Sequence, residues 1–374
     1  MGHSLPFHCL PETEIKQLNS LHSRPVKMGF VGAGLMGQLA HLANYAALDN
    51  CKIVALADPK PKRLHLVAER YTIPRTYPNH TALLEDPEVE AVVVVTQRPK
   101  MGPIALDCLL AGKHVLTEKP MAATVEQAQT LTDTALAQNV RYTVGCMKRH
   151  DEGVQVAKRI IDELRQTNEL GSIVYARAHC FMGEFYCNAD GHIVTDEART
   201  NSGVEWAIAP DWVPEPQKPK YAWFLNVYCH NINLLRYLLD STPRVSYVEF
   251  KQEHGQIAVL DFGNHIATLE AGRTVYRGWD EVTEIYFERG RLRIEYPPGM
   301  LKNIPARVEL YKGTGELHEV YRPQCHWTWA FRRQAEAFVS DIQHGTEPIA
   351  SGADAIADLQ LVEEMWRMAM NFNH

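Results

Sequence analysis

The sequence has neither a long hydrophobic run nor a cluster of basic residues. Its apolar stretches stay well short of the ~20 residues that cross a bilayer, so we expect no membrane partner. Asp and Glu total 45 against 38 Lys and Arg, a net charge of −7, and this mildly acidic balance argues against nucleic acid as a partner. The first twenty residues lack the basic and apolar segments of a secretory signal. We therefore predict a soluble protein of the cytoplasm.

Cysteine is also used sparingly, with eight scattered residues and no CxxC pair. This usage is typical of free thiols in a reducing compartment. The nearest approach to a ligand cluster is His179, Cys180, Cys187 and His192. Its spacing matches no common zinc motif, and Cys180 fits an alternating strand. We predict no metal site.

A chain of 374 residues with 45% hydrophobic and 22% charged residues predicts about two globular domains. In the first half, short apolar runs alternate with helical segments. The runs lie at 27–31, 51–57, 91–96, 114–117 and 141–144, and the helices at 61–71, 103–112 and 125–139. In the last helix, Leu131 and Leu136 are expected to face the sheet. The alternation predicts an α/β Rossmann domain, a doubly wound parallel sheet, over residues 27–147, preceded by an N-terminal extension at 1–26.

The second half changes character and predicts an α+β domain over residues 148–374, with a large open, mostly antiparallel sheet and two C-terminal helices. Strand patterns lie at 173–181, 245–251, 256–262, 265–271, 282–288, 291–296, 307–311 and 317–321. A helix is predicted at 231–239, after a long polar loop at 184–222. A structureless loop of that length is unusual and often functional.

The run GFVGAGLMG follows the first strand and opens a helix. In it, Gly32 permits a tight turn, Gly34 allows close approach of a pyrophosphate, and Gly37 allows close packing of helix on strand. We predict that this turn, including Leu35 and Met36, binds a dinucleotide.

Asp58 ends the second strand, where an acidic side chain accepts hydrogen bonds from the adenosine ribose. It favours NAD over NADP, because it would repel a 2′-phosphate. Lys60, Lys62 and Arg63 follow and could partly offset that repulsion, or they form a solvated basic turn.

In HVLTEKP, Lys119 comes directly after a buried strand. Ligands of a doubly wound sheet lie beyond the carboxyl ends of its strands, so we predict that Thr96, Glu118 and Lys119 reach the cofactor. Lys119 could hydrogen-bond a substrate oxygen beside the nicotinamide and assist proton transfer. A surface lysine at a strand end is the alternative.

Together, GFVGAGLMG, Asp58, AGKHVLTEKP and the C-terminal AFVSDIQHGTEPIASGADAIADL resemble the glucose–fructose oxidoreductase/inositol dehydrogenase (Gfo/Idh/MocA) family over residues 27–370. The resemblance implies a nicotinamide cofactor, a sugar, cyclitol or polyol substrate, and a second domain that mediates assembly as a homodimer or homotetramer. It also implies that Lys119 contacts both substrate and nicotinamide ribose, that the bond to Pro120 is often cis, and that Arg149 matches the family's usual arginine.

The run WFLNVYCHNINLLRYLLD resembles the family's catalytic helix, with His230 at the usual histidine and Asn226 where many members have aspartate. Asn226, His230 and Asn233 share one helical face. His230 is a credible general base, while Asn226 can orient it but cannot neutralise its charge. We count Arg149, Trp223, Asn226 and His230 as substrate-binding residues, although the aromatic residues near the loop could equally serve packing.

The predicted function is an NAD(H)-dependent oxidoreductase that interconverts a secondary alcohol and a ketone on a sugar, cyclitol or amino-sugar-like substrate. Lys119 and His230 handle the proton, and Asn226 completes the catalytic set. Two alternatives stay open. One is an NAD-dependent glycosidase that acts by transient oxidation. The other is a non-catalytic nucleotide-binding sensor, which the missing aspartate favours and the pair Lys119 and His230 argues against.

Overall fold

The computed structural model describes residues 24–183, 187–198, 203–251, 255–314 and 317–371. Most of the predicted extension at 1–26 therefore lies outside the described residues. The first sheet has six strands: β1 Val26–Val31, β2 Cys51–Ala57, β3 Arg75–Tyr77, β4 Ala91–Val94, β5 His114–Thr117 and β6 Tyr142–Val144. Their order is β3-β2-β1-β4-β5-β6, and all neighbours are parallel. This is the predicted doubly wound sheet, with β3 as a strand that the sequence pattern missed.

Helices connect the strands of this sheet. They are α1, which runs from a π-helical segment Gly37–Leu42 into Ala43–Tyr45, α2 Pro61–Arg70, α3 His80–Leu84, α4 Arg98–Leu110 and α5 Val125–Ala137. Helix α4 begins at Arg98 rather than at residue 103. In α5, Ala128, Leu131 and Ala135 are buried, but Leu136 is 79% exposed. The expectation for Leu136 was wrong, because one residue beyond Ala135 turns the side chain by about 100° away from the buried face.

The second sheet has eight strands. They are β7 Ile173–Met182, β8 Arg244–Lys251, β9 Gly255–Asp261, β10 Ile266–Arg273, β11 Trp279–Phe287, β12 Gly290–Glu295, β13 Arg307–Thr314 and β14 Leu317–Tyr321. Their order is β14-β13-β12-β11-β7-β10-β9-β8. Only β7 and β10 pair in parallel among the described strands of this sheet. The predicted combination of a Rossmann sheet with a large, mostly antiparallel sheet is confirmed.

Four further helices close the fold: three of them pack on the second sheet, whereas Ala330–His344 packs on β1 and α1 of the Rossmann half. They are α6 Glu152–Thr167, α7 Lys218–Leu239, α8 Ala330–His344 and α9 Gly352–Asn371. Helix α7 begins at Lys218, not at residue 231, so the connection before it is shorter than predicted. Within the described ranges, no helix is both long and apolar enough to cross a bilayer.

The order of the parallel strands fixes the place of the candidate site. Strands β1, β4 and β5 are neighbours, so the glycine turn after β1, Thr96 after β4 and Lys119 after β5 lie at one edge of the sheet. Val92, Val94 and Val115 within these strands are fully buried, which anchors that edge.

Candidate active site

A cavity of about 1220 Å³ opens at this edge, between the six-stranded sheet, helix α7 and the face of β11 that carries Trp279 and Glu281. It is large enough for a dinucleotide together with a small substrate. All the residues predicted to bind the cofactor line it: Gly32, Gly34, Leu35, Met36, Gly37, Asp58, Thr96, Glu118 and Lys119.

The three glycines of the turn have different surroundings. Gly32 has φ +104°, and a Cβ there would lie 2.1 Å from the Val95 carbonyl oxygen. A Cβ at Gly37 would lie 2.4 Å from the Gly32 carbonyl oxygen, whereas one at Gly34 would meet nothing within 4 Å. Gly32 and Gly37 are therefore required by the fold, while Gly34 leaves open space. A pyrophosphate fits that space at the start of the helix.

Asp58 lies at the end of β2 and is 2% exposed. Its carboxylate accepts hydrogen bonds from the Ala33 N–H (2.8 Å), the Lys60 N–H (2.9 Å) and the Arg63 guanidinium (2.7 Å). These bonds hold it at the cavity wall, in the position where the sequence predicts contact with an adenosine ribose.

Lys119 points across the cavity to helix α7. Its Nζ donates to the Asn226 backbone carbonyl (2.8 Å) and lies 3.4 Å from Asn226 Oδ1. The Lys119–Pro120 peptide bond is cis, as the family resemblance implies. The neighbouring Glu118 accepts a hydrogen bond from His41 at 2.8 Å. Burial raises the pKa of Glu118, but His41 and the charge and backbone N–H of Lys119 together outweigh it, so the pKa lies below its usual range.

His230 lies one helical turn after Asn226, and both side chains line the cavity. Burial, together with the ammonium groups of Lys119 and Lys148, holds the pKa of His230 well below its usual range. The imidazole is therefore neutral at physiological pH and available as a proton acceptor.

The cavity also contains a buried ion pair that the sequence analysis did not predict. Lys148 follows β6 and forms a buried ion pair with Glu281 of β11. The Glu281 carboxylate also accepts hydrogen bonds from Asn231 (3.0 Å) and from the Trp279 indole (3.1 Å). The pair joins residues 133 positions apart, so neither segment alone could reveal it.

The side chains of Arg149, Asn233 and Trp223 do not line the cavity. The Arg149 guanidinium contacts Asn233 (2.6 Å) and Asp354 (2.7 Å). Asn233 is 2% exposed and is occupied by Arg149 and by Asp358. Trp223 packs edge-on against Tyr228, with ring centroids 5.6 Å apart. Arg149 and Trp223 thus make packing contacts and buried ion pairs away from the cavity wall, and their assignment as substrate-binding residues stays a prediction.

No group of three or more His, Cys, Asp or Glu side chains within the described ranges is arranged to hold a metal ion. The cysteines in those ranges are all free thiols.

Comparison with known proteins gives the following similarities. Residues 26–146 match the family model described as an oxidoreductase family with an NAD-binding Rossmann fold (GFO_IDH_MocA). An inositol 2-dehydrogenase of Pseudomonas fluorescens is 30% identical over 191 residues, which are 50% of this chain and 56% of that protein. The chain thus spans little more than half of that relative.

Two further matches extend over nearly the whole chain. The scyllo-inositol 2-dehydrogenase (NAD(+)) of Bacillus subtilis is 22% identical over 349 residues, which are 90% of this chain and 92% of that protein. The structure of levoglucosan dehydrogenase in complex with NADH and levoglucosan superimposes with a TM-score of 0.72 at 18% identity, over 93% of this chain and 98% of that one.

Proposed function

The chain belongs to the Gfo/Idh/MocA family of NAD(P)-dependent oxidoreductases, and we propose that it interconverts a secondary alcohol and a ketone on a sugar, cyclitol or related polyol, using NAD(H). One observation carries this proposal. An ammonium group from the Rossmann sheet, Lys119, and a neutral imidazole from α7, His230, line the same cavity as the glycine turn.

The two side chains have complementary roles at the substrate carbinol. A bound nicotinamide supplies the two-electron acceptor or donor for the substrate hydride. Lys119 Nζ donates a hydrogen bond to the substrate oxygen and stabilises the negative charge that grows there. The neutral imidazole of His230 takes the hydroxyl proton as the carbonyl forms, and it returns a proton to that oxygen in the reverse direction.

Asn226 completes this arrangement without adding charge. Its backbone and side-chain oxygens orient the Lys119 ammonium, but a carboxamide cannot stabilise a protonated His230. A protonated His230 is therefore disfavoured in this site.

The polar groups of the cavity support a polyhydroxylated substrate. Lys119, Asn226, His230 and the Lys148–Glu281 pair all line the cavity, and together they offer both donors and acceptors to several hydroxyl groups. Trp279 adds an aromatic surface of the kind that stacks on the apolar face of a sugar ring. The names of the inositol dehydrogenases among the relatives agree with this class of substrate.

The test uses the purified full chain with NAD⁺ and a panel of inositols, aldoses and keto-sugars, and it follows the absorbance of reduced nicotinamide. We expect Lys119→Met and His230→Gln each to lower kcat by roughly 10²- to 10⁴-fold while NAD⁺ still binds. Lys52→Met, which changes an exposed lysine of β2 outside the cavity, is the matched control.

Each alternative has its own signature in the same experiment. Turnover of a glycoside without net release of NADH would support the glycosidase, and nucleotide binding without any turnover would support a sensor. Unchanged turnover in both variants would refute the proposed roles of Lys119 and His230.

We also propose that residues 27–147 hold the cofactor, that residues 148–374 hold the substrate, and that the second sheet mediates a homodimer or homotetramer. Its face away from α7 carries cross-strand pairs such as Arg177 with Glu270 at 2.7 Å, and Tyr175 with Thr268 at 2.7 Å. Light scattering after size-exclusion chromatography tests the assembly, and a monomer at micromolar concentration would contradict it.

A further inference from the structure

Residues 191–197, here called the strap, belong to the connection between β7 and α7 but lie on the Rossmann sheet's helices. The buried amide of Gln38 in α1 donates to the Ile193 carbonyl (3.0 Å) and accepts from the Ile193 N–H (2.7 Å). Arg70 of α2 donates to the Gly191 carbonyl at 2.8 Å. The strap is therefore fixed on the nucleotide-binding half by specific hydrogen bonds.

The end of the strap occupies the start of α2. The Glu197 carboxylate accepts the backbone N–H groups of Lys62 (2.8 Å) and Arg63 (3.0 Å). Its own backbone carbonyl accepts from Lys60 Nζ at 2.7 Å, and the adjacent Asp196 pairs with Lys62 Nζ at 2.9 Å. Burial raises the pKa of Glu197, but the Lys62 N–H, the Thr195 hydroxyl, the Arg63 N–H and the charge of Lys60 together outweigh it and lower the pKa. The side chain is thus an anion at neutral pH.

This position has a meaning in a dinucleotide site. Asp58, Lys60 and Arg63 line the end of the cavity that follows β2, which is where the adenosine ribose of a dinucleotide lies. In NADP that ribose carries a 2′-phosphate, a group that binds backbone N–H groups at a helix start together with basic side chains. The turn at the start of α2 offers both kinds of donor, and the Glu197 carboxylate already accepts the N–H groups of Lys62 and Arg63.

The local charge leads to the same conclusion. Lys60, Lys62 and Arg63 against Asp58 leave the turn with three positive charges and one negative charge, a net of +2. Asp196 and Glu197 of the strap add two negative charges and bring the sum to zero. Without the strap the turn would attract a phosphate dianion, and with it the attraction is cancelled.

We infer that Glu197 is a cofactor-specificity residue that excludes the 2′-phosphate of NADP by occupying its donors with a carboxylate of the chain itself. The inference deepens the proposed function, since it requires that this cavity hold a dinucleotide. It also explains how three basic residues after Asp58 are compatible with NAD. Selectivity of this kind comes from an element that opposes the wrong ligand, not from a new contact with the right one.

The test measures dissociation constants of NAD⁺ and NADP⁺ for the full chain by isothermal titration calorimetry. In Glu197→Ala we expect NADP⁺ to bind roughly tenfold to a hundredfold more tightly, which corresponds to the strength of charge-assisted hydrogen bonds regained by a phosphate. NAD⁺ affinity should stay unchanged. Glu197→Gln, which keeps the length of the side chain and removes its charge, should give a smaller gain.

Asp196→Ala is the matched control, because it removes the same charge from the same strap but leaves the N–H groups of Lys62 and Arg63 covered. We expect it to change NADP⁺ affinity much less than Glu197→Ala does. Equal gains in the two variants would overturn the positional argument, and so would wild-type binding of NADP⁺ as tight as that of NAD⁺, or an unchanged affinity ratio in Glu197→Ala. If the wild-type chain binds neither nucleotide, the proposed function fails together with the inference.

Discussion

The amide of Asn226 is the group whose replacement should change the chemistry of the site most directly. Asn226→Asp places a carboxylate beside Lys119, whose Nζ lies 3.4 Å from the present Oδ1. His230 follows four residues later, and side chains at this spacing lie roughly 6 Å apart on a helix. At that separation, and with an effective dielectric constant of about 20, a carboxylate attracts an imidazolium by about 3 kcal/mol.

This attraction corresponds to about 2 pKa units, so Asn226→Asp should raise the pKa of His230 from its depressed value. The lysine already present compensates the new charge, and we expect the variant to fold. In the wild-type chain, His230 stays neutral into mildly acidic solution, and alcohol oxidation should persist there. In the variant, His230 is protonated at higher pH, so the acidic limb of kcat/KM for oxidation moves up by about 2 pH units.

Ketone reduction should respond with the opposite sign, because an imidazolium is the proton donor in that direction. The assay is the pH dependence of kcat/KM measured both ways, with histidine NMR used to follow His230 itself. Asn226→Ala, which removes the amide without adding charge, is the control. If the acidic limb of Asn226→Asp coincides with that of the wild type, the electrostatic reasoning for this site is refuted.

Three other expectations concern the glycine turn, a buried histidine and the ion pair of Lys148 with Glu281. Gly34→Ala should fold normally but lose nucleotide affinity, because its Cβ enters only the open space. Gly37→Ala should lower the melting temperature, because its Cβ meets a carbonyl oxygen at 2.4 Å. Calorimetry and thermal melts of both variants separate the two effects. Burial and nearby arginines lower the pKa of His150 to about 3, so the unfolded chain takes up a proton first as the pH falls below about 6.5. This residue alone should therefore lower the free energy of unfolding by about 2 kcal/mol between pH 7 and pH 5. His150→Gln should flatten that part of the pH profile of stability, and an unchanged profile would contradict this expectation. Lys148→Met should destabilise the protein by about 3–5 kcal/mol, because it leaves Glu281 buried and unpaired. Adding Glu281→Leu should restore most of that loss, as measured by urea unfolding. A double variant no more stable than the single one would contradict this account.

The Rossmann half was largely readable from the sequence because its information is local. Buried parallel strands read as apolar runs, and the glycine turn, Asp58 and Lys119 each follow such a run. Strand order then brings their positions to one edge. The short strand β3 was missed because Arg75–Tyr77 carries no apolar pattern and is only partly buried.

Helix α7 shows where a periodicity argument fails. Its first half, from Lys218 to about Asn226, buries Tyr221, Phe224 and Leu225, but the prolines at 214, 216 and 219 make the start of this segment look like a loop in the sequence. Its second half packs Leu234, Leu235 and Leu238 into the core, and only this part was predicted from its own pattern.

Contacts between distant segments were beyond the reach of a single sequence. The pairing of Lys148 with Glu281 and the contact of Glu197 with α2 each join residues more than a hundred positions apart. Arg149 was assigned to the substrate from its motif, whereas in the structure the preceding residue, Lys148, lines the cavity.

The hydrogen bonds of the strap have a practical consequence for protein engineering. Residues 191–197 come from the part of the chain that follows β7, yet they complete the surface around the start of α2. A chimera that transplanted the first six strands onto a different catalytic partner would leave three basic side chains without their acidic neighbours. Its preference for NAD over NADP should therefore weaken. A designer would have to include those seven residues in the transplanted module.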